Sequence, residues 1–322
     1  MAVFTPVSIQ QAEAFLAGYD LGEVVELTAI AEGVENTNYR LDTTQGRFVL
    51  TLFEGRTDEA SLPFCLGLTA HLASRGFACP TPIEDRTGGW LGRLNGRAAA
   101  VIEWKTGAWL RSPSAADQAA AGAVLARLHL MAADFDLRRE NPVGPAMWRR
   151  LADRCAGGAA RASGEDRLLL DRVEAALARL GDPLISHGLG DDLPGGAIHA
   201  DYFPDNILFE NNAVSAVIDF YFGCTGAFAY DLAIALSAWG FDADGRAIPE
   251  ALAAFQRGYE TVRPLSAAER AALPRLGEAA ALRFTVTRLH DRIFHDPANL
   301  VTPKDPAVFL RRMDHWRAVE PV

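Results

Sequence analysis

The stretch that most limits how this chain folds is Ala197-Ile198-His199-Ala200-Asp201-Tyr202-Phe203-Pro204-Asp205-Asn206-Ile207-Leu208-Phe209, with Val214 to Phe220 after it. Two short apolar runs flank a polar loop, Asn211-Asn212 marks a turn, and a further apolar run ends at Asp219. The pattern predicts strand, loop, strand, turn, strand, with charged groups where core residues would otherwise continue a strand. A lone Asp or Asn in a loop is most often a turn former or cap. Asp201, Asn206 and Asp219 together, in this order and in this framework, read as functional. Capping explains Asp205 equally well, and His199 reads as a buried brace for the loop.

These strands interrupt a region that is otherwise helical. Ser114 to Met131, Asp166 to Leu180 and several segments between Pro249 and His315 carry helical spacing, while residues 153–164 and 188–196 read as polar or Gly-rich loops. His129, between two leucines, reads as a hydrogen-bonded core residue. Asp231 reads as a structural carboxylate that takes hydrogen bonds around the loop.

The N-terminal third has another character. Ser8 with Gln11 forms a capping-box pattern before a helix over Ile9 to Tyr19. Three β-like runs follow within residues 23–53, with a turn at Thr44-Gln45-Gly46, and predict an antiparallel meander. A helix is expected over Leu62 to Ser74 and another apolar run over Ala98 to Trp104. The layout is α+β and two-lobed: a small antiparallel β lobe over residues 1–104 and a large, mainly helical lobe over residues 105–322.

Composition narrows the function class. Across 322 residues, 41 acidic against 31 basic side chains give a net charge of −10, which disfavours binding to nucleic acid or to an anionic membrane. Pro6 stands where a secretory signal would build its apolar run, and four scattered cysteines show no metal-site spacing, so a cytoplasmic setting is expected. The stretch from Ser215 to Phe241 is apolar enough to suggest a membrane, but Asp219 and Asp231 lie inside it. It is read as a buried strand, a loop and a core helix.

The pattern H-x-D-x-x-x-x-N, followed by D-F, has a chemical logic. In kinase catalytic loops the Asp accepts the substrate hydroxyl proton, the Asn holds a metal ion and the later Asp supplies a carboxylate ligand. Asp201, Asn206 and Asp219 match these places. Upstream, Glu32-Gly33-Val34-Glu35-Asn36-Thr37-Asn38-Tyr39 lies between two β runs, where Gly33, Asn36, Thr37 and Asn38 are candidates for cradling phosphates.

With Glu35-Asn36-Thr37-Asn38-Tyr39, Phe48 to Glu54, Leu128-His129-Leu130, Asp134-Phe135, the 199–206 loop, Ile218 to Phe222 and Tyr230 to Ala233, the chain resembles the homoserine kinases that share the aminoglycoside phosphotransferase fold, relatives of the protein kinases. The resemblance implies ATP- and Mg2+-dependent phosphorylation of the L-homoserine side-chain hydroxyl to O-phospho-L-homoserine, a step of threonine biosynthesis. One departure stands out. The strand lysine of such kinases aligns with Thr51, and no lysine occurs in the first 104 residues. Thr51 joins the phosphate candidates. Arg40 is a candidate substitute cation, diagonal to Thr51 if the meander turns at Thr44-Gln45. By analogy of fold, adenine falls at Glu103 and Trp104. An amino-acid substrate calls for an arginine, for which Arg288 is the candidate, with Tyr202 and Tyr221 as pocket aromatics. The alternatives are a kinase of the same fold acting on choline, methylthioribose, hydroxylysine or an aminoglycoside, and an inactive nucleotide-binding regulator.

Overall fold

The structure is a computed structural model that describes residues 4–30, 36–54, 58–158, 160–187, 189–296 and 302–320. Its backbone gathers into two compact units, Met1–Thr106 with Ala216–Tyr221, and Gly107–Ser215 with Phe222–Val322.

In the first unit α1 (Ile9–Leu16) opens with the expected capping box. The Gln11 amide donates to Ser8 Oγ, and the Ser8 amide donates to Gln11 Oε1. The meander follows as β1 (Val24–Ala29), β2 (Thr37–Thr43) and β3 (Gly46–Leu52), then α2 (Leu62–Ser74), β4 (Gly92–Leu94) and β5 (Arg97–Glu103). They form an antiparallel sheet of order β1-β2-β3-β5-β4. Strand β5 reads as a continuous apolar run because both of its faces are covered. Ala99 and Val101 pack with Leu41, Leu50, Leu52 and the α1 residues Ala12 and Leu16. Ala98, Ala100 and Ile102 pack with Phe53, Leu62 and Leu66, and Tyr221 joins this second cluster. The three-residue β4 was not expected, being too short to show a period.

The second unit carries α3 (Ala115–Ala132), α4 (Pro145–Gly157), α5 (Gly164–His187), α6 (Phe228–Trp239), α7 (Pro249–Glu260), α8 (Ala267–Ile293) and α9 (Pro306–Ala318). Its strands are β6 (Gly195–Ile198), β7 (Ile207–Glu210), β9 (Cys224–Ala227) and β8 (Ala213–Val217), whose last residues count with the first unit. Strands β6 and β9 pair antiparallel, and β7 pairs with β8. The loop expected over 153–164 is corrected: Asp153 to Gly157 complete α4, because Trp148, Ala152 and Cys155 bury one face at spacings of four and three. Strand β9 was also unforeseen. Every residue of α6 is buried, which explains the apolar stretch, and no helix among the described residues is long and apolar enough to cross a membrane.

Helices α3 and α7 approach closely through two glycines. A Cβ on Gly122 would stand 2.1 Å from the Phe255 carbonyl oxygen, and one on Gly258 would stand 2.0 Å from that of Ala119. This contact sets the positions of His129 on α3 and Tyr259 on α7.

Candidate active site

In the second unit β6 runs directly into His199, Ala200 and Asp201, and a single 3-10 turn over Pro204–Asn206 leads into β7. The loop is pinned from several sides. Asp231, at the start of α6 and fully buried, accepts the amides of His199 through Oδ2 (2.8 Å) and of Ala200 through Oδ1 (2.8 Å). His129 Nε2 lies 3.0 Å from Asp231 Oδ2, and its Nδ1 lies 2.7 Å from the Tyr259 hydroxyl, which Arg263 also reaches at 3.1 Å. Burial alone would raise the Asp231 carboxyl, yet the hydrogen bonds it takes from His129 and from the His199 amide hold it below its ordinary value. Burial pushes the His129 imidazole down, so it is neutral at pH 7 and its two nitrogens serve one donor and one acceptor role. The expected places of His129, His199 and Asp231 hold: His199 Nδ1 accepts the Asp201 amide at 3.2 Å.

Asp201 is half-buried at the loop's head. Removal from water raises its carboxyl above the usual value, with Asp205 adding to the rise, while Arg283, His199 and Lys304 pull it back. Buried Asn206 donates through Nδ2 to the Asp201 carbonyl (2.9 Å) and carboxylate (3.3 Å). Arg288 shares this field: burial lowers its guanidinium to about 10 against the opposing pull of Asp305, Asp201 and Asp205. It lies 4.4 Å from the centre of the Phe309 ring and donates to the Asp305 carbonyl at 3.2 Å.

Tyr202 is corrected. Its hydroxyl donates to the Ala121 carbonyl at 3.0 Å, and its fully buried ring packs edge-on to His199 and Phe255, so it offers a substrate nothing.

In the first unit Asn38 stands opposite Thr51 and Arg40 opposite Val49, which puts Arg40 diagonal to Thr51 as expected. Thr51 Oγ1 donates to Asn38 Oδ1 at 2.8 Å, and Tyr221 hydrogen-bonds to the same hydroxyl. This contact puts Tyr221 beside the phosphate candidates Thr51 and Asn38 in the same unit. Burial, with the nearby Asp219 charge, pushes its phenol far up. Arg40 is engaged by Glu26 and Asp42, each at 2.9 Å, so its charge is already answered.

Two further placements, those of Thr37 and Glu103, correct the expectations. Thr37, fully buried, accepts the amides of Phe4 (3.0 Å) and Thr5 (3.2 Å) and donates to Glu54 (2.7 Å), so it staples the N-terminal segment. Asn36 accepts the Glu54 amide at 3.2 Å. The Glu103 amide donates to the Thr81 carbonyl at 2.9 Å, and its carboxylate faces Lys105 at 2.7 Å, which removes that amide as an adenine donor. Trp104 lies under the Arg47 guanidinium at 5.6 Å. Gly33 lies outside the described residues.

Comparison with known proteins decides the family. Residues 26–265 match the phosphotransferase enzyme family, APH. The homoserine kinase of Methylobacterium radiotolerans is 46% identical over 98% of this chain and 96% of its own, and that of Gluconobacter oxydans 45% identical over 100% of both. The chain belongs to the phosphotransferase enzyme family. Among solved structures, an amicoumacin kinase in complex with AMP-PNP, Ca2+ and Ami has a TM-score of 0.71 at 16% identity, covering 97% of this chain and 94% of its own. A microcompartment-associated aminopropanol kinase has a TM-score of 0.69 at 20% identity, covering 96% and 97%. This phosphotransferase is thus a small-molecule kinase that uses ATP, with the two-lobed aminoglycoside phosphotransferase-like fold.

Each unit offers an oxygen donor of the kind a hard cation takes. In the second unit Asn206 is anchored through Nδ2, with its side-chain oxygen on the other branch of the amide, and in the first unit Asp219 is an exposed carboxylate held at φ 64° just after β8. Among the described residues no three His, Cys, Asp or Glu side chains cluster to hold a metal, and magnesium needs no such cage, since it takes one or two carboxylates plus substrate phosphates.

The phosphotransferase's most informative unforeseen residue is Arg283 on α8. It is 2% exposed, and Nη1 donates to the Ala200 carbonyl at 2.6 Å. A signal was present: Arg283 interrupts the stripe Leu276, Ala280, Val286 at helical spacing, where a charge needs a buried partner.

Proposed function

We propose that this protein is a homoserine kinase, moving the γ-phosphoryl group of ATP to the side-chain hydroxyl of L-homoserine to give O-phospho-L-homoserine and ADP, on the route to threonine. The observation that carries this reading is identity of 44–47% with homoserine kinases over nearly the whole of both chains. Asp201 is the proton acceptor. Its carboxylate is braced by Asn206 and its loop by Asp231, so it meets the hydroxyl already oriented. Asn206 and Asp219 supply oxygens to Mg2+, which when bound neutralises phosphate charge. Asn38 and Thr51, hydrogen-bonded to each other, contribute neutral polar groups to the nucleotide in place of a strand lysine, and Trp104 contributes an aromatic face to adenine. Arg288 pairs with the substrate carboxylate, for which a guanidinium offers a two-pronged match.

ADP release with Mg-ATP is the test, across L-homoserine, L-serine, L-threonine, choline, hydroxylysine, methylthioribose and an aminoglycoside. L-Homoserine should lead. Serine carries its hydroxyl one methylene closer to the α-carbon, and a misplacement of about 1 Å costs on the order of a hundredfold in kcat/KM. A preference for any other compound in the panel overturns the assignment.

A further inference from the structure

Ala200 adopts φ 60°, a left-handed conformation that alanine avoids, at the residue directly before the base. Its torsions lie between two peptide planes. The plane before it presents the Ala200 amide, held by Asp231 Oδ1 at 2.8 Å. The plane after it presents the Ala200 carbonyl, held by Arg283 Nη1 at 2.6 Å, and also contains the Asp201 amide, which donates to His199 Nδ1. Each plane is therefore gripped by a buried charge of opposite sign. Asp231 comes from the start of α6 and Arg283 from the middle of α8.

We propose that Arg283 is a positioning residue for phosphoryl transfer: by clamping the Ala200 carbonyl it holds the strained turn that aims Asp201. The guanidinium is itself locked. It lies 4.6 Å from the Phe284 ring centre and 5.4 Å from that of Phe222, and it is too buried to be spent on a substrate. Phe284 in turn packs edge-on to Phe203, two residues beyond Asp201, at 4.9 Å, so α8 grips the loop on both sides of the base. Without the clamp the plane after Ala200 keeps only the longer bond from the Asp201 amide to His199 Nδ1 (3.2 Å), alanine relaxes toward negative φ, and the Asp201 carboxylate leaves its line to the hydroxyl. Nothing in this removes a contact to ATP or to the amino acid, so the loss falls on turnover and not on binding.

The inference rests on Asp201 being the base, and the experiment separates the two claims. Full-length enzyme is assayed with Mg-ATP and L-homoserine as wild type, Asp201→Asn, Arg283→Met and Arg283→Lys, the last two also in an Ala200→Gly background. Arg283→Met should lower kcat by about a hundredfold, with both Michaelis constants within about threefold of wild type. Arg283→Lys keeps a charged donor and should recover about tenfold of that loss. In the Ala200→Gly background the loss caused by either Arg283 substitution should shrink, to less than about tenfold for Arg283→Met and to less than about threefold for Arg283→Lys, because glycine holds a left-handed turn without help. If Arg283→Met does not fold, Arg283→Lys in the two backgrounds decides alone. The clamp is overturned by wild-type kcat in Arg283→Lys and Arg283→Met, by a rise confined to the Michaelis constant for homoserine, or by losses of equal size in both backgrounds. Turnover retained by Asp201→Asn would instead overturn the base.

Discussion

At the scale of single residues, the proposed chemistry turns on how Asp201 is aimed and on where it ionises. Burial raises its carboxyl above the ordinary aspartate value, while Arg283, His199 and Lys304 oppose the rise. If Asp201 is the proton acceptor, as proposed, it must be ionised, so activity is expected above that raised pKa and is lost as pH falls through it. The acid limb of the kcat/KM profile for homoserine is expected above the usual aspartate range, and Asp201→Asn should lower kcat by about 10²–10⁴-fold while leaving nucleotide affinity within a few-fold. A limb at an ordinary aspartate value would contradict the environment described for this carboxyl. Thr51 makes a second residue-scale point. It is 2% exposed and hydrogen-bonded to Asn38 and Tyr221, so a lysine there would enter a site that has no carboxylate facing it in the same sheet register. Thr51→Lys should lower both activity and stability, the latter by about 1–3 kcal/mol in urea unfolding, from the lost hydrogen bonds and the buried stem. Gain of activity would show that the strand had merely lost its usual cation.

At the scale of elements, the loop is held by helices that come from far along the chain. The buried chain of contacts from Glu269 through Arg263 (2.7 Å), Tyr259, His129 and Asp231 joins α8, α7, α3 and α6 to the backbone beside Asp201. It depends on how near α3 lies to α7, and that nearness depends on Gly122 and Gly258. Gly258→Val places a branched side chain where even a Cβ would stand 2.0 Å from the Ala119 carbonyl oxygen. The helices must then move apart, and urea unfolding should show a loss of about 1–3 kcal/mol or more, with kcat falling as Tyr259 draws away from His129. Wild-type stability in this variant would mean that the two helices slide without cost, and the glycines would lose their assigned role. By contrast, Gly157 has nothing within 4 Å of its would-be Cβ and tolerates alanine on steric grounds.

At the scale of the whole molecule, a net charge of −10 means that a highly charged anion such as ATP is bound against the average field. Local donors and the proposed Mg2+ have to do this. Mg-ATP at about one hundred times its dissociation constant should stabilise the fold by about 2.7 kcal/mol, read as a shift in the urea midpoint. Chelating magnesium should remove most of that shift in the wild type. In Asn206→Ala and Asp219→Ala the nucleotide shift should be smaller and should respond less to magnesium; an unchanged magnesium response in both variants would withdraw their ligand roles.

Much of this protein is legible in its amino-acid sequence alone. The capping box at Ser8 and Gln11, the meander with its turn at Thr44-Gln45, and the strand-loop-strand around Asp201 are written in residues within a few positions of one another. Periodicity, turn chemistry and motif spacing are local properties, which is why they survive in one dimension. Only the tertiary structure decided which partner each polar group takes. Thr37 turned to the N-terminal segment, the Glu103 amide to Thr81, and the Tyr202 hydroxyl to Ala121 at a separation of 81 residues. Arg283 reached Ala200 across 83 residues. A hydroxyl, amide or guanidinium in a sequence states what it can donate or accept, but burial obliges it to find a partner, and which partner lies within 3 Å is set by the packing of elements far apart in the chain.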